Sequence, residues 1–309
     1  MRRSAPVFRR ITRVVYACVL VVSFICLAVS ARVPLQAQRA RPTLKVLFIG
    51  NSYTFYNNLG DIVAGISRSK KDGPVIDATI AAVQNRDLAW HLENGPAMPA
   101  LEKGRWDFVG IQETSLLPGG SMVEGKPVIG DPAKPGGVYD SVREMVKRIR
   151  AKGATPILEM TWARRDNAGT MQQDLATAFG TIGKELTVRV APVGLAWQEA
   201  RWRLRTLEFH FRDGAHPSEA GSYLTAAVIY ATITGHDPRG AAAVITGHPV
   251  KNDGVVDMEK KVPLVDLGQP TAAELQKIAW EIVTAAAKSP PAASLPGLAP
   301  ASAWASAGR

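Results

Sequence analysis

A mixed α/β fold, with a mostly parallel sheet covered by helices on both faces, is what this 309-residue sequence predicts. Three observations carry that reading. From residue 44 onward short apolar runs alternate with amphipathic stretches, the pattern of strands joined by crossover helices. The first run, "KVLFIG", is an unbroken apolar strand of the kind buried on both faces. The stretch "YDSVREMVKRIRA" puts Val142, Met145, Val146 and Ile149 on one face and basic residues on the other, as a covering helix does.

In chain order, strands are expected at 45–50, 75–83, 107–112, 156–162 and 188–193, with helices between them at 59–70, 87–93, 139–151 and 171–186. Between 116 and 137 the Gly- and Pro-rich run "LLPGGSMVEGKPVIGDPAKPGG" is a long loop after the third strand, either a substrate wall or a surface excursion. A further helix follows Pro217, which suits a first helical position, with Ala220, Leu224, Ala227, Val228 and Ala231 at helical spacing.

The formal charge of +10 suggests nucleic acid or a membrane surface until its location is considered. Residues 1–42 hold eight Arg and no acid, which leaves the remainder at +2 and removes the case for a nucleic-acid partner. Val14 to Ala31 is an eighteen-residue run without charge behind five Arg, so residues 1–37 read as an export signal with small residues at Ala31 and Ala37. Uncleaved, the same run is long enough for an N-terminal membrane anchor, the one route to membrane contact. A periplasmic or extracellular location follows from either version. Both cysteines, Cys18 and Cys26, lie in this segment, so a cleaved chain has no disulfide and no thiolate nucleophile. Residues 44–288 form the expected catalytic domain, and 289–309, rich in Pro, Ala and Ser, read as a disordered tail.

Chemistry enters at two places. "IGNSYT" sets Ser52 at the end of the first strand, where open α/β sheets bind their ligands. "FRDGAHPSEAG" sets Asp213 and His216 in the turn before a helix. Three residues apart, the carboxylate can reach one imidazole nitrogen and leave the other to take a proton from a hydroxyl that is unreactive by itself. Ser52 could equally be a simple helix cap, and the two roles are compatible.

With these residues in hand, the sequence resembles the SGNH (GDSL-like) hydrolase superfamily, in the style whose first block reads "GNSYT". "IGNSYT" matches the first block, "FVGIQETS" the third and "DGAHPSEAG" the last, over residues 44–235. The resemblance implies a three-layer α/β/α sandwich with flavodoxin-like strand order, and an ester hydrolase with Ser52 as nucleophile, His216 as base and Asp213 as its orienting partner. It implies an oxyanion hole from Ser52, from Gln112 in place of the usual Asn, and from Asn85, because the second block "AAVQNRDLAWHL" lacks its usual Gly. Asn tolerates positive φ better than most residues. No cofactor or metal is required; His210 beside Asp213 and His216 is a weak sketch of a metal site. Trp162 and Arg164, with Arg165, follow the fourth strand and are candidates for holding a sugar or an acidic group, and His91 is a further candidate for the site. The expected substrate is an acyl ester or an O-acetylated carbohydrate. The missing Gly leaves one rival from another class, a non-catalytic glycan-binding module, which requires Ser52 to lie out of reach of His216.

Overall fold

The computed structural model describes residues 40–113, 122–123, 126–127, 138–167, 170–251 and 254–288. The export segment, nearly all of the loop at 116–137 and the tail at 289–309 therefore lie outside the described residues. Five parallel strands make the central sheet: β1 (Thr43–Gly50), β2 (Val75–Ala82), β3 (Phe108–Gln112), β6 (Thr155–Glu159) and β7 (Arg189–Ala191), in the order β2-β1-β3-β6-β7. The chain thus leaves β1 for one edge, returns to its other side and winds on from there, the flavodoxin-like order that the resemblance implies. The strands between these, β4 (Met122–Val123) and β5 (Lys126–Pro127), form a two-residue antiparallel pair inside the Gly/Pro-rich loop.

Register aligns the carboxyl ends. Gln112 on β3 pairs with Glu159 on β6, which pairs with Ala191 on β7, while Ile49 on β1 pairs with Ile111. The turn after β1 and the end of β3 therefore meet where the winding direction reverses, the position at which such sheets bind ligands.

Helices α1 (Ser52–Phe55), α2 (Leu59–Ser69), α3 (Leu88–Glu93), α4 (Ala97–Lys103), α5 (Val138–Ala151), α6 (Met171–Leu186), α7 (Val193–Arg203), α8 (Glu219–Thr234) and α9 (Gln269–Lys288) complete the layers. On one face Val46 and Phe48 of β1 pack with α2, α7, α8 and α9; on the other Leu47 and Ile49 pack with α3, α4, α5 and α6. The alternation of β1 side chains between two separate cores is the period-two signature of a strand in the middle of a three-layer sandwich.

Several elements were not anticipated, α4 and the β4–β5 pair among them. Helix α7 is buried through Val193, Ala196, Trp197 and Ala200, and α9 covers it and α8. Strands β8 (Val244–Gly247) and β9 (Val262–Asp266) pair antiparallel as a hairpin against α2 and α8. Helix α8 itself starts later than Pro217: Ser218 is its cap, accepting the N–H of Gly221 at 3.2 Å, and Pro217 instead bridges back to His210. From Ala220 to Ile233 every residue of α8 is buried, so it is a central helix enclosed by its neighbours and not an amphipathic surface one.

Candidate active site

Ser52 is placed by the sharpness of the turn at the end of β1. Gly50 allows that turn, since a Cβ there would collide with Thr54 Oγ1 and Gln112 Oε1. Asn51 then caps α1, its Oδ1 accepting the N–H of Tyr53 at 3.1 Å, while its Nδ2 donates to the Arg86 carbonyl at 3.2 Å. As the first residue of α1, Ser52 has an N–H with no partner inside the helix.

The opposite side of the site is a loop closed on itself. Phe211 N–H donates to the His216 carbonyl at 2.6 Å, Ser218 N–H to Phe209 at 2.9 Å, and Gly214 turns the chain at φ 71°. Inside it Asp213 Oδ1 accepts the N–H groups of Ala215 (2.9 Å) and His216 (3.0 Å). Its other oxygen lies 2.5 Å from His216 Nδ1, and His216 Nε2 lies 2.8 Å from Ser52 Oγ. Burial would raise the Asp213 carboxyl, but the Ala215 N–H, the His216 side chain and the His216 N–H together hold it below the usual carboxylate range. An ionised Asp213 fixes the proton of a neutral imidazole on Nδ1 and leaves Nε2 to accept from the serine hydroxyl.

The loop hangs from the segment after β6. Trp162 donates its indole N–H to the Ala215 carbonyl at 2.9 Å; Arg165 donates its backbone N–H to Gly214 at 2.9 Å and its guanidinium to Glu208 and to the carbonyls of His210 and Phe211. A stack runs from Trp197 through Trp162 (4.2 Å between centroids) to Tyr53 (4.8 Å). A cleft of about 900 Å³ opens over Ser52 and His216, and its far wall is β9 and the start of the connection from β8, with Pro249, Val250, Val262 and Leu264.

The structure thus brings Ser52, His216 and Asp213 together. Asn85 lies in the turn after β2 with φ 55°, the left-handed conformation expected where the second block lacks Gly, and its neighbour Gln84 lines the cleft. Four other expectations need correction. Gln112 is buried, with Oε1 accepting from Asn51 N–H (3.0 Å) and Thr54 Oγ1 (2.9 Å) and Nε2 donating to the Glu113 carbonyl, so its amide serves the nucleophile turn. Trp162 is only 3 % exposed and is a support for the His216 loop, not a substrate platform. His91 is fully buried behind β1, with Nε2 donating to the Gly50 carbonyl at 2.7 Å; burial lowers its basicity. Arg164 faces Asp166 at 3.6 Å and is absent from the cleft lining. His210 Nε2 lies 3.0 Å from the Ala163 carbonyl, and among the described residues no cluster of His, Cys, Asp or Glu could hold a metal ion.

Sequence inspection missed Tyr53, Tyr56 and Asn57, and it read Arg165 as a substrate contact where its guanidinium binds Glu208 and the carbonyls of His210 and Phe211. Tyr53 sits in the quoted first block and Tyr56 just past it, but nothing in one dimension reveals that both rings reach an imidazole more than a hundred residues away.

Comparison with solved structures places this architecture among known folds. A DUF4886 family protein from Bacteroides uniformis matches over 78 % of this chain and 95 % of its own at 18 % identity and a TM-score of 0.56, a likeness of fold. A lipase/acylhydrolase from Enterococcus faecalis (17 % identity, 62 % of this chain and 95 % of its own, TM-score 0.44) and the psychrotrophic esterase EstA from Pseudoalteromonas sp. (14 %, 61 % and 96 %, TM-score 0.43) also match. No family model and no curated protein matches the sequence. The fold is a three-layer α/β/α sandwich around an all-parallel five-stranded sheet.

Proposed function

We propose that this protein is a serine ester hydrolase of the "GNSYT" style, acting through Ser52, His216 and Asp213. The observation that supports it most is the continuous relay from Ser52 Oγ to His216 Nε2 (2.8 Å) and from His216 Nδ1 to Asp213 (2.5 Å). In the first step the Ser52 oxygen bonds to the acyl carbon while its proton passes to His216 Nε2. The imidazolium then gives that proton to the leaving alcohol, the C–O bond breaks, and an acyl-enzyme remains. Water repeats the sequence, giving its proton to Nε2 and releasing the acid as the proton returns to Ser52. The developing oxyanion is met by the N–H of Ser52 at the start of α1 and by the backbone of the turn at Asn85.

The rival reading, a non-catalytic glycan-binding module, needs Ser52 out of hydrogen-bond reach of His216, and the separation of 2.8 Å is the reverse. Substrates in this reading are neutral acyl esters, O-acetylated carbohydrates among them, and the Arg-rich, apolar N-terminus points to action outside the cytoplasm. Hydrolysis of a short-chain aryl ester by the full chain, unaffected by a chelator, is the test. A folded protein inactive on every acyl ester tried would contradict the proposal.

A further inference from the structure

The first block runs on past the nucleophile as Phe55-Tyr56-Asn57-Asn58, and the ester-hydrolase reading leaves this continuation unused. Asn57 and Asn58 stand consecutively in the left-handed region, at φ 53° and 50°. Side chains other than Gly adopt that conformation at a cost, and Asn is the residue that tolerates it best. Both amides hold the turn in place. Asn57 Nδ2 donates to Ser222 Oγ at 2.9 Å and to the Pro217 carbonyl at 3.2 Å, next to His216 in the chain; Asn58 Nδ2 donates to the His248 carbonyl at 2.7 Å.

What the turn presents is the ring of Tyr56. It stacks on the His216 imidazole with centroids 4.7 Å apart and planes 25° from parallel, and Phe211 backs it at 5.7 Å. Asp213 and Ser52 occupy the two nitrogen edges of the same imidazole, and the Tyr53 ring lies nearly perpendicular to it at 5.6 Å. Burial first, and the Asp213 charge second, push the Tyr56 hydroxyl up from its usual range, so the ring remains an uncharged phenol. The negative face of such a ring attracts a cation.

We propose that Tyr56 is a positioning residue for His216: its ring, held by the Asn57–Asn58 turn, fixes the imidazole plane and stabilises the imidazolium formed when Ser52 gives up its proton. The inference rests on the ester-hydrolase reading for the moment at which the cation forms. The titratable and charged groups around the imidazole are Asp213 on its own loop and Tyr53 and Tyr56 on the nucleophile segment. Glu208, Glu219 and Lys251 line the same cleft, and Glu208 is ion-paired with Arg165 at 2.7 Å.

The test is an NMR titration of the histidine rings in the full chain. The sequence has five His, so the His216 signal is identified by its loss in His216→Gln. Tyr56→Leu keeps the bulk and the exclusion of water but removes the aromatic face, and its His216 midpoint should move to lower pH by roughly half a unit. Tyr56→Phe should keep the wild-type midpoint. Tyr56→Met gives the same comparison should Leu disturb the turn. An unmoved midpoint in the aliphatic variants, or an equal shift in the Phe variant, overturns the inference. The titration needs no turnover, so an inactive wild type with a shifted Leu midpoint sinks only the hydrolase reading, and an active enzyme with no shift sinks only this one.

Discussion

The side-chain oxygen of Gln112 accepts the backbone N–H of Asn51 at 3.0 Å, which fixes how the amide faces: oxygen to the nucleophile turn, nitrogen to the Glu113 carbonyl. A residue read from sequence as an oxyanion donor is therefore a brace for the strand end that carries Ser52.

Gln112→Ala should lower thermal stability and kcat together. It removes the acceptor shared by the Asn51 N–H and the Thr54 hydroxyl, at about 1–3 kcal/mol for each buried orphan. A loss of about 10²–10³ in kcat with an unchanged Tm would return Gln112 to the oxyanion hole.

Trp162→Phe separates support from substrate contact. The smaller ring can still stack against Trp197 but cannot donate to the Ala215 carbonyl. A looser His216 loop should lower kcat with little change in KM, since the base is misplaced while the cleft is intact. A raised KM at unchanged kcat would make Trp162 a substrate platform after all.

Asp213 is held below the usual carboxylate range, so it stays ionised through the acid range in which activity is lost. The acid limb of the pH–rate profile should then have unit slope, reporting the single proton on His216 that blocks its role as base. His216→Ala should remove almost all turnover, and Asp213→Asn should remove less, because Asp213 orients and stabilises the imidazole without taking the proton. A limb of slope two would show a second essential carboxylate.

Two sets of buried groups should tilt stability with pH in opposite directions. Burial pushes Glu159 up to about 8, and among the described residues its Oε1 has no hydrogen-bond partner. The folded state therefore holds a proton that the unfolded state releases, so stability falls as pH rises from the ordinary Glu range through about 8, at roughly 1.4 kcal/mol per unit. Burial pushes His210 down to about 4 and also lowers His91, so below the ordinary His range the unfolded state takes up protons the folded state refuses, and stability falls with acid. Glu159→Gln should remove only the decline between the ordinary Glu range and about 8 in a series of melting curves. A decline over that range unchanged in the variant would assign it to other groups.

What the sequence discloses and what it hides divide along physical lines. Strand β1 and helix α5 were readable because each carries its burial pattern within a dozen residues, and Asp213 and His216 because their relation is local, three residues in one turn. Helix α7 and the β8–β9 hairpin were not. The first is buried on several sides and lacks a clean polar face, and the second depends on pairing residues separated by a long connection. Side-chain direction was hidden altogether: Trp162 and His91 stand at the ends of elements near the site, yet both turn inward to hydrogen-bond a carbonyl of the very segments that carry His216 and Ser52.

The most direct test of the central claim, that Ser52 is an activated nucleophile, is labelling of the full chain by a fluorophosphonate, which reacts only with a hydroxyl primed by a base. Intact-mass and peptide analysis should find one adduct, on Ser52, absent from Ser52→Ala and from His216→Ala while both variants melt as the wild type does. Labelling that persists in Ser52→Ala, or resides on another serine such as Ser115 or Ser218, would contradict the account.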